Sequence, residues 1–147
     1  MSQLSQKSLA ILDKVHPRLA KVIKAAADIS SLDFEVVEGI RSRKSQLERF
    51  LDGRSQEESS IHFYGYAVDI LVYIDEIPCW QSAIYCELAE SIKLIAGDLD
   101  IPMRWGGAYH CLDITKTELM MEELHFQYLK QAKYPLIDLP HFELGVE

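Results

Sequence analysis

Residues 67–74 are Ala-Val-Asp-Ile-Leu-Val-Tyr-Ile, an almost wholly apolar run that contains one aspartate. A short run of this kind, rich in β-branched and aromatic residues, is typical of a β-strand that is buried on both faces. Asp69 is the exception, because a buried carboxylate is costly unless it is paired, hydrogen-bonded or bound to a metal. The stretch therefore predicts a central strand and, within it, a candidate functional residue.

The sequence before this strand predicts helices and one further strand. Pro17 suits the first turn of a helix, because its missing N–H has no partner to lose there. The apolar residues that follow it recur at helical spacing. The predicted elements are a short helix interrupted at His16-Pro17, a second helix from Pro17 to Ser30, a strand over 34–40 that ends next to Arg41, and a helix over about 43–52.

The sequence after the strand predicts a turn, two helices and a short strand. Thr115 and Glu118 resemble a capping box, which favours a helix start. The predicted elements are a turn at 75–78, a long amphipathic helix over about 84–97, a strand over 101–105 that runs into Gly106-Gly107, a helix over about 115–132, and an extended tail over 135–146. This order of helices and strands predicts an α+β fold.

Composition sets limits on the function. The chain has 147 residues with 48% hydrophobic content, which fits one domain with its own core. Its 15 Lys and Arg against 23 Asp and Glu give a net charge of -8, which disfavours binding to nucleic acid and to anionic membranes. We expect no membrane span and no signal peptide, because no sufficiently long apolar run occurs. The three cysteines form no CxxC pair and are expected to be free thiols.

Two histidines stand in patterns that could place them beside Asp69. His62 precedes Asp69 by seven residues, with the small residues Gly65 and Ala67 between them. Near the other end, residues 138–143 are Asp-Leu-Pro-His-Phe-Glu. Two histidines and one carboxylate with an open fourth position form a standard catalytic zinc site. From spacing alone, the alternative is that each histidine is a core residue with one hydrogen bond.

The same residues carry a resemblance to a known family. The patterns are Ser-x-His-x-x-Gly-x-Ala-x-Asp at 60–69, Trp-Gly-Gly at 105–107 and Asp-x-x-His at 138–141. Together they resemble the zinc D,D-carboxypeptidases and L-alanyl-D-glutamate endopeptidases, and most of all the single-domain phage endolysins that cut peptidoglycan stem peptides. Residues 33–42 are similar to that family as well. The resemblance covers roughly residues 8–107 and 135–145.

The resemblance implies a fold and a role for each residue. It implies a small, mostly antiparallel sheet flanked by helices, with a zinc site in a cleft, as in hedgehog and D-Ala-D-Ala peptidase folds. It makes His62, Asp69 and His141 the zinc ligands. It also makes Asp138 the general base and acid. The residues that it implies for substrate binding are Arg41, as the anchor for a substrate carboxylate, Ser60, which would order the site, and Trp105, which would line the cleft.

Several of these roles have alternatives. Asp138 could hold the tail instead, and Glu143 competes with it for the role of base. Arg41 could form an ordinary surface ion pair. Trp105, like Trp80, could belong to the core. The histidines that match no motif position are His16, His110 and His125, and we expect His125 to lie on the surface of the 115–132 helix or to face a partner.

The sequence also departs from the family pattern. Ala108 and Tyr109 follow the two glycines, where many relatives have an acidic or aromatic residue directly. The stretch 108–134 is longer than in compact relatives, and we interpret it as an insertion whose extra helix forms a wall or lid near the cleft. The chain as a whole, 1–147, is otherwise expected to be a single zinc peptidase domain.

The sequence therefore predicts a zinc-dependent peptidoglycan hydrolase that cleaves the L-alanyl-D-glutamate bond of stem peptides. The expected biological role is that of a phage endolysin that acts as a monomer, is made in the host cytoplasm and is released to the wall through a holin-type lesion. The alternatives are a D-alanyl-D-alanine carboxypeptidase or dipeptidase, a non-catalytic zinc-binding component of wall or virion, and a plain interaction domain whose histidines are structural.

Overall fold

The computed structural model describes residues 4–39, 65–133 and 135–145, and these residues form the predicted α+β fold. Among them are four α-helices: α1 (Gln6–Leu12), α2 (Pro17–Ile29), α3 (Ser82–Asp98) and α4 (Met121–Gln131). The strands are β1 (Asp33–Glu38), β2 (Ala67–Ile74), β3 (Ile77–Cys79), β4 (Met103–Trp105) and β5 (His141–Leu144). A 3-10 helix, Ile114–Lys116, lies between β4 and α4.

The strands form one antiparallel sheet in the order β1-β2-β5-β4. Strand β3 pairs with the end of β2 through a hairpin turn in which Asp75 and Glu76 have positive φ angles. Strand β5, which comes from the predicted extended tail, pairs with β2 on one side and β4 on the other. The last strand of the chain therefore lies in the interior of the sheet, next to the strand that carries Asp69.

The hydrophobic core lies between one face of the sheet and the helices. Residues Val68, Ile70 and Val72 of β2 are fully buried. They belong to one cluster with the apolar faces of α2 and α3 and with Phe142 of β5. Burying one such aliphatic side chain contributes about 1.5–3 kcal/mol.

The expectation that β2 is buried on both faces is wrong. Its alternate residues Asp69, Leu71 and Tyr73 are only partly buried. The apolar run therefore has one core face and one face that is partly open, and Asp69 lies on the second. This is the face on which a site can form.

Several predicted element boundaries agree with the structure. Strand β2 has the predicted bounds, and α2 begins at Pro17, with the His16 side chain accepting a hydrogen bond from the Arg18 N–H at 3.1 Å. Helix α3 ends one residue after Gly97. The three cysteines are free, as expected.

Two other expectations are wrong. The helix predicted from Thr115 begins six residues later, at Met121. Asp113 accepts hydrogen bonds from the N–H and the hydroxyl of Thr115 and so caps the 3-10 helix Ile114–Lys116. Thr115 therefore lies inside this 3-10 helix and does not cap an α-helix. Trp80 is not in the core, because 67% of its surface is exposed.

The predicted helix over 43–52 and the residues Arg41, Ser60 and His62 lie outside the described residues. Within the described ranges, no helix combines the length and the apolar character that crossing a membrane requires.

Candidate active site and metal centre

The pairing of β2 with β5 places Asp69 directly opposite His141. Asp69 Oδ1 lies 3.6 Å from His141 Nδ1, which is longer than a good hydrogen bond. Two ligands of one tetrahedral zinc ion, each bonded at 2.0–2.1 Å, are separated by about 3.3 Å. The distance between these two side chains therefore suits two ligands of a shared metal ion.

Asp138 is brought to the same place by a tight turn that leads into β5. The His141 N–H donates to the Asp138 carbonyl at 3.0 Å, and the Asp138 N–H donates to the Gly106 carbonyl at 3.0 Å. Ligand atoms of Asp69, Asp138 and His141 all lie within 4.8 Å of one another. The structure thus brings together three of the residues that the sequence singles out.

Gly106 and Gly107 are required by the close packing around this turn. A Cβ atom on Gly106 would lie 2.0 Å from the carbonyl oxygen of Asp138. A Cβ atom on Gly107 would lie 2.4 Å from the ring of Trp105. Both positions therefore exclude larger residues, because the backbone of the site and the indole ring occupy that space.

Glu143 lies on the other side of the His141 ring from Asp69. The Nε2–H of His141 donates to Glu143 Oε1 at 2.7 Å, and both side chains are buried. A histidine that binds a metal through one nitrogen commonly donates its other N–H to a carboxylate, which fixes the ring and its tautomer. This contact favours an orienting role for Glu143 over the alternative role as base, and it leaves Nδ1 to face Asp69.

The two carboxylates also control the protonation of His141. Burial by itself lowers the pKa of His141, but the nearby carboxylates of Asp69 and Glu143 outweigh it and raise the pKa to about 9. The negative charge around His141 therefore favours a cation at Nδ1. This cation is either a proton or a metal ion that replaces it.

The donor set fits a zinc ion. An imidazole nitrogen and carboxylate oxygens are ordinary zinc ligands, and the second nitrogen of the imidazole already has its partner. Asp69 and His141 are thus suited to hold the metal from two adjacent strands, with Asp138 beside them. His62, the third ligand implied by the resemblance, lies outside the described residues.

Trp105 supports the site from within the core. Its side chain is fully buried and stacks on Phe142, with ring centroids 6.3 Å apart. Its indole N–H donates to the carbonyl of Leu139 at 2.9 Å. The structure therefore favours the core interpretation of Trp105 over direct contact with substrate.

The expectation that His125 lies on the surface is wrong. Its side chain is 6% exposed, and its Nδ1 lies 2.6 Å from the carbonyl oxygen of Gly107. The sequence held the signal, because His125 shares helical spacing with Met121, Leu124 and Tyr128, all of which are buried on the same face of α4.

Comparisons with known proteins agree on one family. A family model described as phage L-alanyl-D-glutamate peptidase matches residues 1–144. The chain is similar to the L-alanyl-D-glutamate peptidase of Escherichia phage T5, with 29% identity over 116 residues, covering 72% of this chain and 82% of the relative. It is also similar to the solved structure of the L-Ala D-Glu endopeptidase ChiX of Serratia marcescens, with a TM-score of 0.74 and 29% identity, covering 99% of this chain and 90% of that one.

Proposed function

The chain belongs to the phage L-alanyl-D-glutamate peptidase family, and on this premise we propose that it works as a zinc-dependent endolysin. It is a peptidase that hydrolyses the L-alanyl-D-glutamate bond of peptidoglycan, so its substrate is the bacterial cell wall. The family match favours this activity over the D-alanyl-D-alanine carboxypeptidase alternative and over a domain without catalytic activity.

The proposed metal ligands are His62, Asp69 and His141. The observation that carries this proposal is the 3.6 Å approach of Asp69 Oδ1 to His141 Nδ1, while Glu143 takes the other ring nitrogen. When bound, a zinc ion would polarise the scissile carbonyl and acidify a water molecule. Two neutral histidines and one carboxylate leave such an ion with a net positive charge.

Asp138 is the proposed general base and acid. Its carboxylate lies beside Asp69 and His141, and its backbone is fixed to Gly106 on one side and to His141 on the other. In hydrolysis, this carboxylate would accept a proton from the attacking water and deliver it to the nitrogen of the leaving D-glutamate. Water thus adds across the peptide bond, and Asp138 returns to its starting state.

Two residues outside the described ranges complete the proposed site. Arg41 follows the segment that contains β1, and its planar guanidinium would bind a free carboxylate of the stem peptide through paired hydrogen bonds. Ser60 would order the metal site. Both roles rest on the resemblance of residues 33–42 and 60–69 to the family pattern.

The endolysin role sets the proposed cellular context. The protein would be made in the host cytoplasm and reach the wall through a holin-type lesion. We propose that it acts as a monomer, that residues 1–147 form a single catalytic domain, and that 108–134 is an inserted segment near the cleft. Its net charge of -8 disfavours binding to nucleic acid or to an anionic membrane, because both are negatively charged.

Metal analysis of the purified protein tests this proposal. We expect about one equivalent of zinc per chain, loss of peptidoglycan hydrolysis on chelation and recovery on adding zinc. His141→Ala should lose the metal. His110→Ala is the matched control, because His110 is exposed and bonds Gln127, and this variant should keep metal and activity. An active protein that stays free of metal would overturn the mechanism.

A further inference from the structure

His125 is a buried polar side chain that the proposed mechanism does not use. It lies on the buried face of α4, where the neighbouring positions are apolar. Its ring packs against Trp105, with centroids 5.8 Å apart, and its Nδ1 approaches the Gly107 carbonyl at 2.6 Å. Because a carbonyl oxygen can only accept, Nδ1 must carry the proton of this hydrogen bond.

The Gly107 carbonyl belongs to the backbone that holds the site together. Gly106 precedes it, and the N–H of Gly106 donates to the carbonyl of His141 at 2.9 Å. The Gly106 carbonyl in turn accepts the N–H of Asp138. A hydrogen bond to Gly107 therefore limits the movement of the backbone that fixes both the candidate base and a candidate metal ligand.

Trp105 connects His125 to the same turn by a second route. The indole ring lies against His125 at a tilt of 48°, and its N–H donates to the carbonyl of Leu139, between Asp138 and His141. His125 of α4 thus supports both the turn at Gly106-Gly107, by its hydrogen bond, and the turn before β5, through Trp105. An apolar side chain at position 125 could fill the space but could not donate to Gly107.

We propose that His125 is a positioning residue that, by donating Nδ1–H to Gly107, sets the placement of Asp138 relative to the metal ligands. The inference rests on the proposed function of Asp138 and gives α4 a part in catalysis without contact with substrate. Small displacements of a catalytic group matter, because an error of about 1 Å can cost about 100-fold in rate.

Two substitutions separate the hydrogen bond from the packing of the ring. His125→Phe keeps an aromatic ring against Trp105 but has no donor. His125→Asn loses the ring but keeps an N–H donor at the position that corresponds to Nδ1. The measurements are kcat and KM on a synthetic stem peptide, together with zinc content and melting temperature.

We expect His125→Phe to lower kcat about 10- to 100-fold with KM and zinc content unchanged. We expect His125→Asn to keep kcat within about 3-fold of wild type, even with a lower melting temperature. A wild-type kcat in His125→Phe, or a loss in both variants that follows melting temperature, would overturn the inference. If His125→Asn does not fold, kcat of His125→Phe decides alone.

The wild-type protein provides a further measurement and a separate control. Nitrogen chemical shifts of the His125 ring should show a protonated Nδ1, and an unprotonated Nδ1 would overturn the inference without any variant. If the wild type shows no zinc-dependent cleavage, the proposed function fails. If the wild type is active and His125→Phe equals it, only the role of His125 fails.

Discussion

At the scale of single residues, the imidazole of His141 lies between two carboxylates for which we propose different roles. Asp69 faces Nδ1, where a metal would bind, and Glu143 accepts the hydrogen bond from Nε2–H. Asp138 stands on the Asp69 side. The roles that we propose for these acidic residues differ, and substitution by the isosteric amides can distinguish them.

Asp138→Asn should keep its zinc and lose about 100-fold or more in turnover, because the amide cannot accept a proton. The measurement is kcat on stem peptide beside zinc content by elemental analysis. Loss of zinc in this variant would make Asp138 a ligand, and near-normal turnover would remove it from the mechanism.

Glu143→Gln is the matched counterpart of Asp138→Asn, and it should weaken zinc binding while leaving turnover largely unchanged. The amide oxygen still accepts the Nε2–H of His141 but without charge, so zinc affinity should fall about 10- to 100-fold. Turnover at saturating zinc should stay close to wild type. Zinc competition with a chromogenic chelator gives the affinity, and a large loss of turnover with full metal occupancy would identify Glu143 as the base.

At the residue scale, the sequence singles out a candidate where a side chain conflicts with its surroundings. Asp69 stands out because a carboxylate within an apolar strand needs a partner. His125 shows no such conflict in the sequence, where only its helical spacing with Met121, Leu124 and Tyr128 indicates burial. Its partner is a backbone carbonyl 18 residues away in sequence, which only the folded chain brings near.

At the scale of elements, a hydrogen-bond cluster fixes α1 to β1. The N–H and hydroxyl of Ser5 and the hydroxyl of Ser8 donate to the Glu35 carboxylate. Burial by itself raises the pKa of Glu35, but these hydrogen bonds outweigh it and lower the pKa from its ordinary value of 4.5. The carboxylate is therefore more stable ionised in the folded protein than in the unfolded chain.

This difference predicts a pH dependence of stability. Because the folded-state pKa is the lower one, the contribution of Glu35 is fully present above about pH 4.5 and is lost as the pH falls through the folded-state value. Urea unfolding at several pH values should show a smaller loss of stability on acidification in Glu35→Gln than in wild type. Glu87→Gln, on the exposed side of α3, is the control; an unchanged pH dependence in Glu35→Gln would contradict the prediction.

Elements were predictable where their signals are local. Pro17 and the apolar spacing after it are enough to locate α2. The start of α4 was not predictable in this way. Thr115 and Glu118 resemble a capping box, but Asp113 accepts the hydrogen bonds of Thr115 and holds it in a 3-10 helix instead. Strand β5 has only four residues and two flanking partners, so its state depends on pairing that the tail alone does not reveal.

At the scale of the whole molecule, the active site depends on joining distant parts of the chain. Strand β5 inserts between β2 and β4, and this places His141 opposite Asp69, 72 positions earlier in the sequence. The antiparallel register decides which side chains share a face of the sheet. The sequence identified these residues through motifs and family resemblance, whereas the pairing itself came from the structure.

The central claim is that this chain hydrolyses the bond between L-alanine and D-glutamate in peptidoglycan. Mass spectrometry of intact sacculi digested by the zinc-loaded protein, with Asp138→Asn as the control, tests it most directly. We predict glycan strands that keep only L-alanine on their sugars and released peptides that begin with D-glutamate, both absent from the control digest. Stem peptides shortened only by a C-terminal D-alanine would contradict the claim.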